Sequence, residues 1–138
     1  MSDIGKILME KAIEYRERSY SPYSGYQVGA ALLAKNGEIF GGCNVENSAF
    51  SPTNCAERTA VFKAVSEGVT EFDAIAIAGG KKGEPLQFCT PCGVCRQVLM
   101  EFCNPETFMV YLGTGVDDVK GYTLKELLPL SFSPANLA

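Results

Sequence analysis

The 138-residue chain contains no histidine. That absence removes Ser-His-Asp and Cys-His catalysis, the paired histidines of zinc proteases and every imidazole metal ligand. A metal in this protein must rest on Cys, Asp or Glu, and proton transfer falls to carboxylate, Lys, Tyr, thiol or water. Positive charge is also scarce. Twelve Lys and Arg against 16 Asp and Glu leave a net charge of -4, and Lys81-Lys82 is the only adjacent basic pair. Nucleic-acid polymers are bound by Lys and Arg neutralising many phosphates, so this balance argues against such partners and favours a small, uncharged substrate. No apolar run approaches the ~18 residues that a membrane span needs. The stretch Met1–Ser19 alternates charged and apolar residues and lacks a signal peptide's uninterrupted apolar core. A cytoplasmic location without membrane contact is therefore expected. No repeat, low-complexity tract or linker divides the sequence. A single domain over residues 1–138 is expected, long enough to bury most of its apolar surface.

Against these absences stand six cysteines, at positions 43, 55, 89, 92, 95 and 103. In a cytoplasmic chain thiols are kept reduced, so metal binding or plain burial is a better reading than three disulfides. Hydrophobic periodicity places the cysteines on elements. Residues 3–18 carry Ile4, Ile7, Leu8, Ala12 and Ile13 at helical spacing. Two apolar runs, Tyr26–Ala34 and Glu38–Asn44, flank Lys35-Asn36-Gly37, a hairpin signal. A helix from Cys55 is predicted to end at Gly68 as a glycine cap. Asp73–Gly80 reads as a buried strand. The next helix is predicted to start with Thr90 as N-cap and Pro91 at its first position, and to run to Phe102. Thr107–Gly113 and Val119–Thr123 read as strands. Thr123 and Glu126 have capping-box spacing ahead of a short helix that Pro129 stops. The order α-β-β-α-β-α-β-β-α implies an α/β fold, a three-layer α/β/α sandwich with a mixed sheet of about five strands.

The chemistry concentrates in "CAER" (Cys55–Arg58) and "TPCGVCRQ" (Thr90–Gln97). Cys92 and Cys95 stand at i and i+3 in the first turn of a helix and share a face, while Cys55 begins the preceding helix. Helix N-termini carry partial positive charge that favours thiolates, and tetrahedral thiolates suit zinc. Three protein ligands leave a fourth position open, as in catalytic zinc sites. CxxC alone is also compatible with a redox dithiol or half of a structural zinc site. The C-x-x-C-x-x-C run from Cys89 opens like some iron–sulfur motifs, but position 99 is Leu where the next cysteine would stand. Cys89 as the fourth thiolate of a closed zinc site is the remaining alternative. Cys43 and Cys103 read as small buried hydrophobes. The combination C-A-E with P-C-x-x-C is more specific than any of these motifs, being the known signature of zinc deaminases, whose glutamate is a proton shuttle and not a ligand.

The stretches "SPYSGYQVGAALL", "GGCNVENSAFSPTNCAERTA", "TPCGVCRQV" and "ELLPLSF" follow one another as in the small, homotetrameric zinc-dependent cytidine deaminases. The chain resembles that family over nearly its whole length. The resemblance implies one zinc ion per chain held by Cys55, Cys92 and Cys95, with Glu57 as the catalytic acid/base. It implies that Arg58 hydrogen-bonds the thiolates and offsets their excess charge where relatives often have His in place of Cys55. Asn44 and Glu46, two apart in extended chain and so on one side, would hold the ribose. Ala56 joins the substrate contacts, and Tyr26 would pack on the pyrimidine, where Phe is commoner in the family. Phe132 and Phe50 would reach a neighbouring subunit's pocket in a homotetramer. The implied activity is hydrolytic deamination of cytidine and 2'-deoxycytidine to the uridines in pyrimidine salvage.

Overall fold

Asn36-Gly37 turns the chain as its position predicts. Gly37 adopts φ +95°, and the hairpin joins β1 (Tyr26–Ala34) to β2 (Ile39–Cys43). The computed structural model describes residues 3–137 of the predicted 1–138 domain. Its remaining elements are α1 (Ile4–Arg16), α2 (Ala56–Ser66), β3 (Phe72–Lys81), α3 (Gly93–Phe102), β4 (Met109–Gly115), β5 (Asp118–Thr123) and α4 (Leu124–Leu127), with a 3-10 turn at Pro134–Asn136. The predicted element order is the observed one. Among the described residues, no helix is long and apolar enough to cross a membrane.

The five strands form one mixed sheet in the order β2-β1-β3-β4-β5. The β1 strand pairs antiparallel with both β2 and β3. The β3 and β4 strands, joined by the α3 crossover, are parallel, and β5 returns antiparallel. Side chains of alternating parity feed two cores. Ala30, Leu32, Ile75, Ile77, Val110 and Leu112 face α2, α3 and α4. Ala31, Ala74, Ala76, Ala78 and Tyr111 face α1 through Leu8, Met9 and Ala12. The run of alanines on the α1 face lets that helix lie close to the sheet. A β-carbon on Gly29 would fall 2.0 Å from the Ala12 carbonyl oxygen. The result is the expected three-layer α/β/α sandwich.

Two caps match their sequence signals. Gly68 takes φ +89° after α2, and the amides of Gly68 and Val69 return to the carbonyls of Val65 and Ala64 in a Schellman motif. Thr123 and Glu126 exchange both bonds of a capping box. The start of α3 differs from expectation. Thr90 is not its N-cap and Pro91 is not its first residue. Cys92 takes the cap, with φ -69° and ψ 167°, and its sulfur accepts the Cys95 amide at 3.4 Å. A sulfur in place of the usual oxygen does the capping, and the helix begins two residues later than the Thr-Pro signal suggests.

Candidate metal centre and active-site cavity

The two helices that carry the cysteines begin side by side at the three sulfurs. Cys55 is the N-cap of α2 and Cys92 that of α3. The Cys55 and Cys92 sulfurs are 3.8 Å apart, and Cys92 and Cys95 are 3.4 Å apart. All three sulfurs lie within 4.8 Å of one another, the one such cluster of potential metal ligands among the described residues. Zinc–sulfur bonds of about 2.3 Å in a tetrahedron require sulfurs about 3.8 Å apart. The donor set therefore fits zinc in softness, in number and in spacing.

The surroundings favour thiolate. Arg58 donates from Nη2 to Cys55 Sγ at 3.2 Å, and its buried Nε has no acceptor. A hydrogen bond from the Cys95 thiol, aided by Arg58 and Cys92, holds the Cys55 thiol down at about 5. Cys95 moves the other way, chiefly because its proton is held by Cys55.

Glu57 is 4% exposed, on the first turn of α2. Burial pushes its carboxyl up to about 7, against the ordinary carboxylate near 4.3. Such a group both accepts and donates a proton near neutral pH. Cys89, by contrast, stays outside the cluster. It packs against Gly79, where a β-carbon would meet its sulfur at 2.7 Å, and burial pushes its thiol up to about 11. The three-sulfur cluster does not include it.

A cavity of about 160 Å³ opens beside the sulfurs. Of the expected residues, Asn44, Cys55, Ala56, Glu57 and Cys92 line it. The walls also use Val28, Asn54, Cys89 and Thr90, which the sequence reading did not assign to a substrate pocket. Asn54 carried a usable signal, a polar residue just before the α2 cap. Val28 carried none, since only the pairing of β1 brings it here. Asn44 reaches the cavity while organising its rim. Its Nδ2 donates to the Tyr26 carbonyl at 2.8 Å, and its Oδ1 accepts the Val28 amide at 2.9 Å.

Other expected residues lie outside that wall. The Glu46 carboxylate accepts the amides of Tyr23 and Ser24 at 2.9 and 3.1 Å, as well as the Ser24 hydroxyl. These bonds, the Ser24 hydroxyl first, hold its carboxyl below the usual range. Asn44 and Glu46 thus both bond to the 23–28 segment. Tyr26 packs behind Cys89, and its hydroxyl donates to Gln87 at 3.4 Å. Phe50 and Phe132 are 70% and 57% exposed, away from this chain's own cavity. The Phe50 ring meets Tyr23 edge-on at 6.2 Å, and its backbone has φ 64°.

Comparison with known proteins agrees with this geometry. The family model for the cytidine and deoxycytidylate deaminase zinc-binding region matches residues 3–111. A cytidine deaminase from Sporosarcina psychrophila is 50% identical, covering 99% of this chain and 96% of its own. One from Halalkalibacterium halodurans is 47% identical over 96% of each chain. The crystal structure of the Burkholderia pseudomallei cytidine deaminase superposes with a TM-score of 0.81 at 43% identity, over 96% of this chain and all of that one. With three thiols clustered at two helix N-termini, a buried glutamate beside them and these full-length likenesses, the chain belongs to the cytidine and deoxycytidylate deaminase family.

Proposed function

We propose that this protein catalyses the hydrolytic deamination of cytidine and 2'-deoxycytidine to uridine and 2'-deoxyuridine, releasing ammonia, as a step of pyrimidine salvage. The observation that carries this reading is the shared cavity of Glu57, Cys55 and Cys92, with Glu57 buried and poised near neutral pH. Cys55, Cys92 and Cys95 hold one zinc ion per chain. Zinc bound there supplies Lewis acidity that makes water a nucleophile near pH 7.

The protein's own residues do the rest. Glu57 takes the proton from the attacking water and passes it to ring N3 as C4 is attacked. It then takes the second proton, from the new C4 hydroxyl, and gives it to the exocyclic amine, so that the C4–N bond breaks, the C4 carbonyl forms and ammonia leaves. Arg58 holds Cys55 through its 3.2 Å bond and balances the charge of three thiolates. Asn44 has a second Nδ2 hydrogen beyond the one given to Tyr26, and it offers this to a ribose hydroxyl. Glu46, braced by the Tyr23–Ser24 turn, accepts from a hydroxyl. Ala56 and Tyr26 bound the pyrimidine.

The exposed rings of Phe50 and Phe132 cover the pocket of a neighbouring subunit in a homotetramer. A reducing cytoplasm keeps the three ligand thiols available to metal. The experiment is ultraviolet absorbance of cytidine with the zinc-loaded protein. Conversion to uridine is expected, and a zinc-replete protein that leaves cytidine unchanged would sink the reading.

A further inference from the structure

Two consecutive side chains of α3 take hold of backbone far along the chain. Arg96 follows Cys95 directly. Its Nε donates to the Pro91 carbonyl at 2.8 Å, and its Nη1 donates to the Leu127 carbonyl at 2.5 Å, across 31 residues. Gln97 donates from Nε2 to the Phe132 carbonyl at 2.9 Å. Pro91 is fully buried, and its carbonyl belongs to the peptide that leads into Cys92, the sulfur-bearing cap of α3. Leu127 is the last residue of α4. Among the described residues no carboxylate pairs with Arg96, so its planar fork serves two backbone carbonyls that lie in different directions. A lysine ammonium is a single point and cannot reproduce that reach.

We propose that Arg96 is a positioning residue that fixes the Pro91–Cys92 peptide for metal binding and ties it to the end of α4 and the C-terminal segment. Order at the metal loop and order in residues 124–137 then depend on each other, because a coupling between two sites is reciprocal. The inference rests on zinc being held by Cys55, Cys92 and Cys95. Gln97 extends the same hold to Phe132, so α3 places both a ligand pair and the tail's aromatic.

The test uses Arg96→Lys, which keeps the charge, with Arg16→Lys as its matched control. Arg16 also spends its guanidinium on backbone carbonyls, those of Gln27, Gly80 and Lys81, but at the far end of α1. Zinc transfer from each loaded protein to a chromophoric chelator is timed, and the absorption of the cobalt-substituted proteins is recorded. Partners behind metal ligands typically alter metal affinity roughly 10–100-fold. Arg96→Lys should therefore release zinc at least about tenfold faster and alter the cobalt–thiolate bands, whereas Arg16→Lys should do neither. An Arg96→Lys protein that unfolds at lower temperature yet matches wild type in zinc release and cobalt spectrum would show a merely structural role and overturn the proposal.

Hydrogen exchange on the unaltered protein gives an answer even if that variant does not fold. Stripping zinc should speed exchange in 124–137 while β1 and β3 keep their protection. No change in 124–137, or an equal loss in the central strands, overturns the coupling. Cytidine turnover of the wild type is measured separately. A zinc-loaded but inactive wild type sinks the deaminase reading alone, whereas an active wild type with an indifferent Arg96→Lys sinks only the positioning role.

Discussion

Gly42 of β2 and Ala56 of α2 meet backbone to backbone. A β-carbon on Gly42 would lie 2.6 Å from the Ala56 carbonyl oxygen and 2.6 Å from the Ala60 amide nitrogen. The missing side chain at one strand position thus sets how near the first turn of α2, with Cys55 and Glu57, comes to the sheet. Gly42→Ala should overpack this contact and cost about 1–3 kcal/mol or more, and it should weaken zinc binding because the Cys55 turn moves. Gly93→Ala is the contrasting case. Nothing lies within 4 Å of a β-carbon there, and alanine suits a helix better than glycine by up to about 1 kcal/mol. Urea unfolding of the two variants checks the pair, and equal stability would remove the close-approach account.

Arg58 is the second point of attack. It donates to Cys55 and leaves a buried Nε without an acceptor, so its charge is held beside the sulfurs. Arg58→Gln keeps a short polar side chain but removes the cation that stabilises the Cys55 thiolate. Zinc affinity should fall roughly 10–100-fold, as is usual for groups behind metal ligands. Chelator competition measures this, and an unchanged affinity would reduce Arg58 to a packing residue.

Serine substitutions separate the ligands from the bystander. Cys55→Ser, Cys92→Ser and Cys95→Ser should each lose zinc and activity, since each breaks the three-sulfur cluster. Cys89→Ser should keep both, because Cys89 lies outside the three-sulfur cluster. Zinc content by elemental analysis decides. Loss of zinc from Cys89→Ser would favour a closed four-thiolate site.

The sequence exposed whatever depends on near neighbours. Asn36-Gly37, Gly68 and the Thr123–Glu126 box each specify local dihedrals or a bond within four residues, and each behaves as its type demands. The cysteine spacing was legible for the same reason. The α3 start was misread because Thr90 and Pro91 obey an oxygen-capping rule, whereas the cap in use is the Cys92 sulfur. The strand order was hidden, because the parallel β3–β4 pair depends on a crossover and not on any local pattern. Val28 enters the cavity through the long-range pairing of β1 with β3, and Asn54 through its place just before the α2 cap. Asn44 was found by resemblance, but its grip on the Tyr26 and Val28 backbone was not. The Pro134–Asn136 turn also went unseen, although Ser133 and Asn136 cap it reciprocally.

Glu57 carries the most demanding prediction. It is an acid whose side chain is almost wholly buried yet lines the cavity beside Cys55 and Cys92. Burial pushes its carboxyl up to about 7, so at neutral pH it can take a proton from water and return one to nitrogen. General acid–base catalysis contributes roughly 10²–10⁴-fold, and one group serving several transfers reaches the upper part of that range. Glu57→Gln preserves the volume and cannot accept the proton. A buried carboxyl that prefers to be neutral is well replaced by a neutral amide, so folding should not suffer. The variant should retain about one zinc per chain and still bind cytidine, because the contacts to ribose and ring are untouched. Its turnover should fall at least about a thousandfold. Stopped-time absorbance assays and calorimetric binding of cytidine measure the two quantities on one preparation. A zinc-loaded Glu57→Gln protein with near-normal turnover would take the carboxylate out of the mechanism. A protein that lost zinc instead would place Glu57 among the metal's supports and not among the proton carriers.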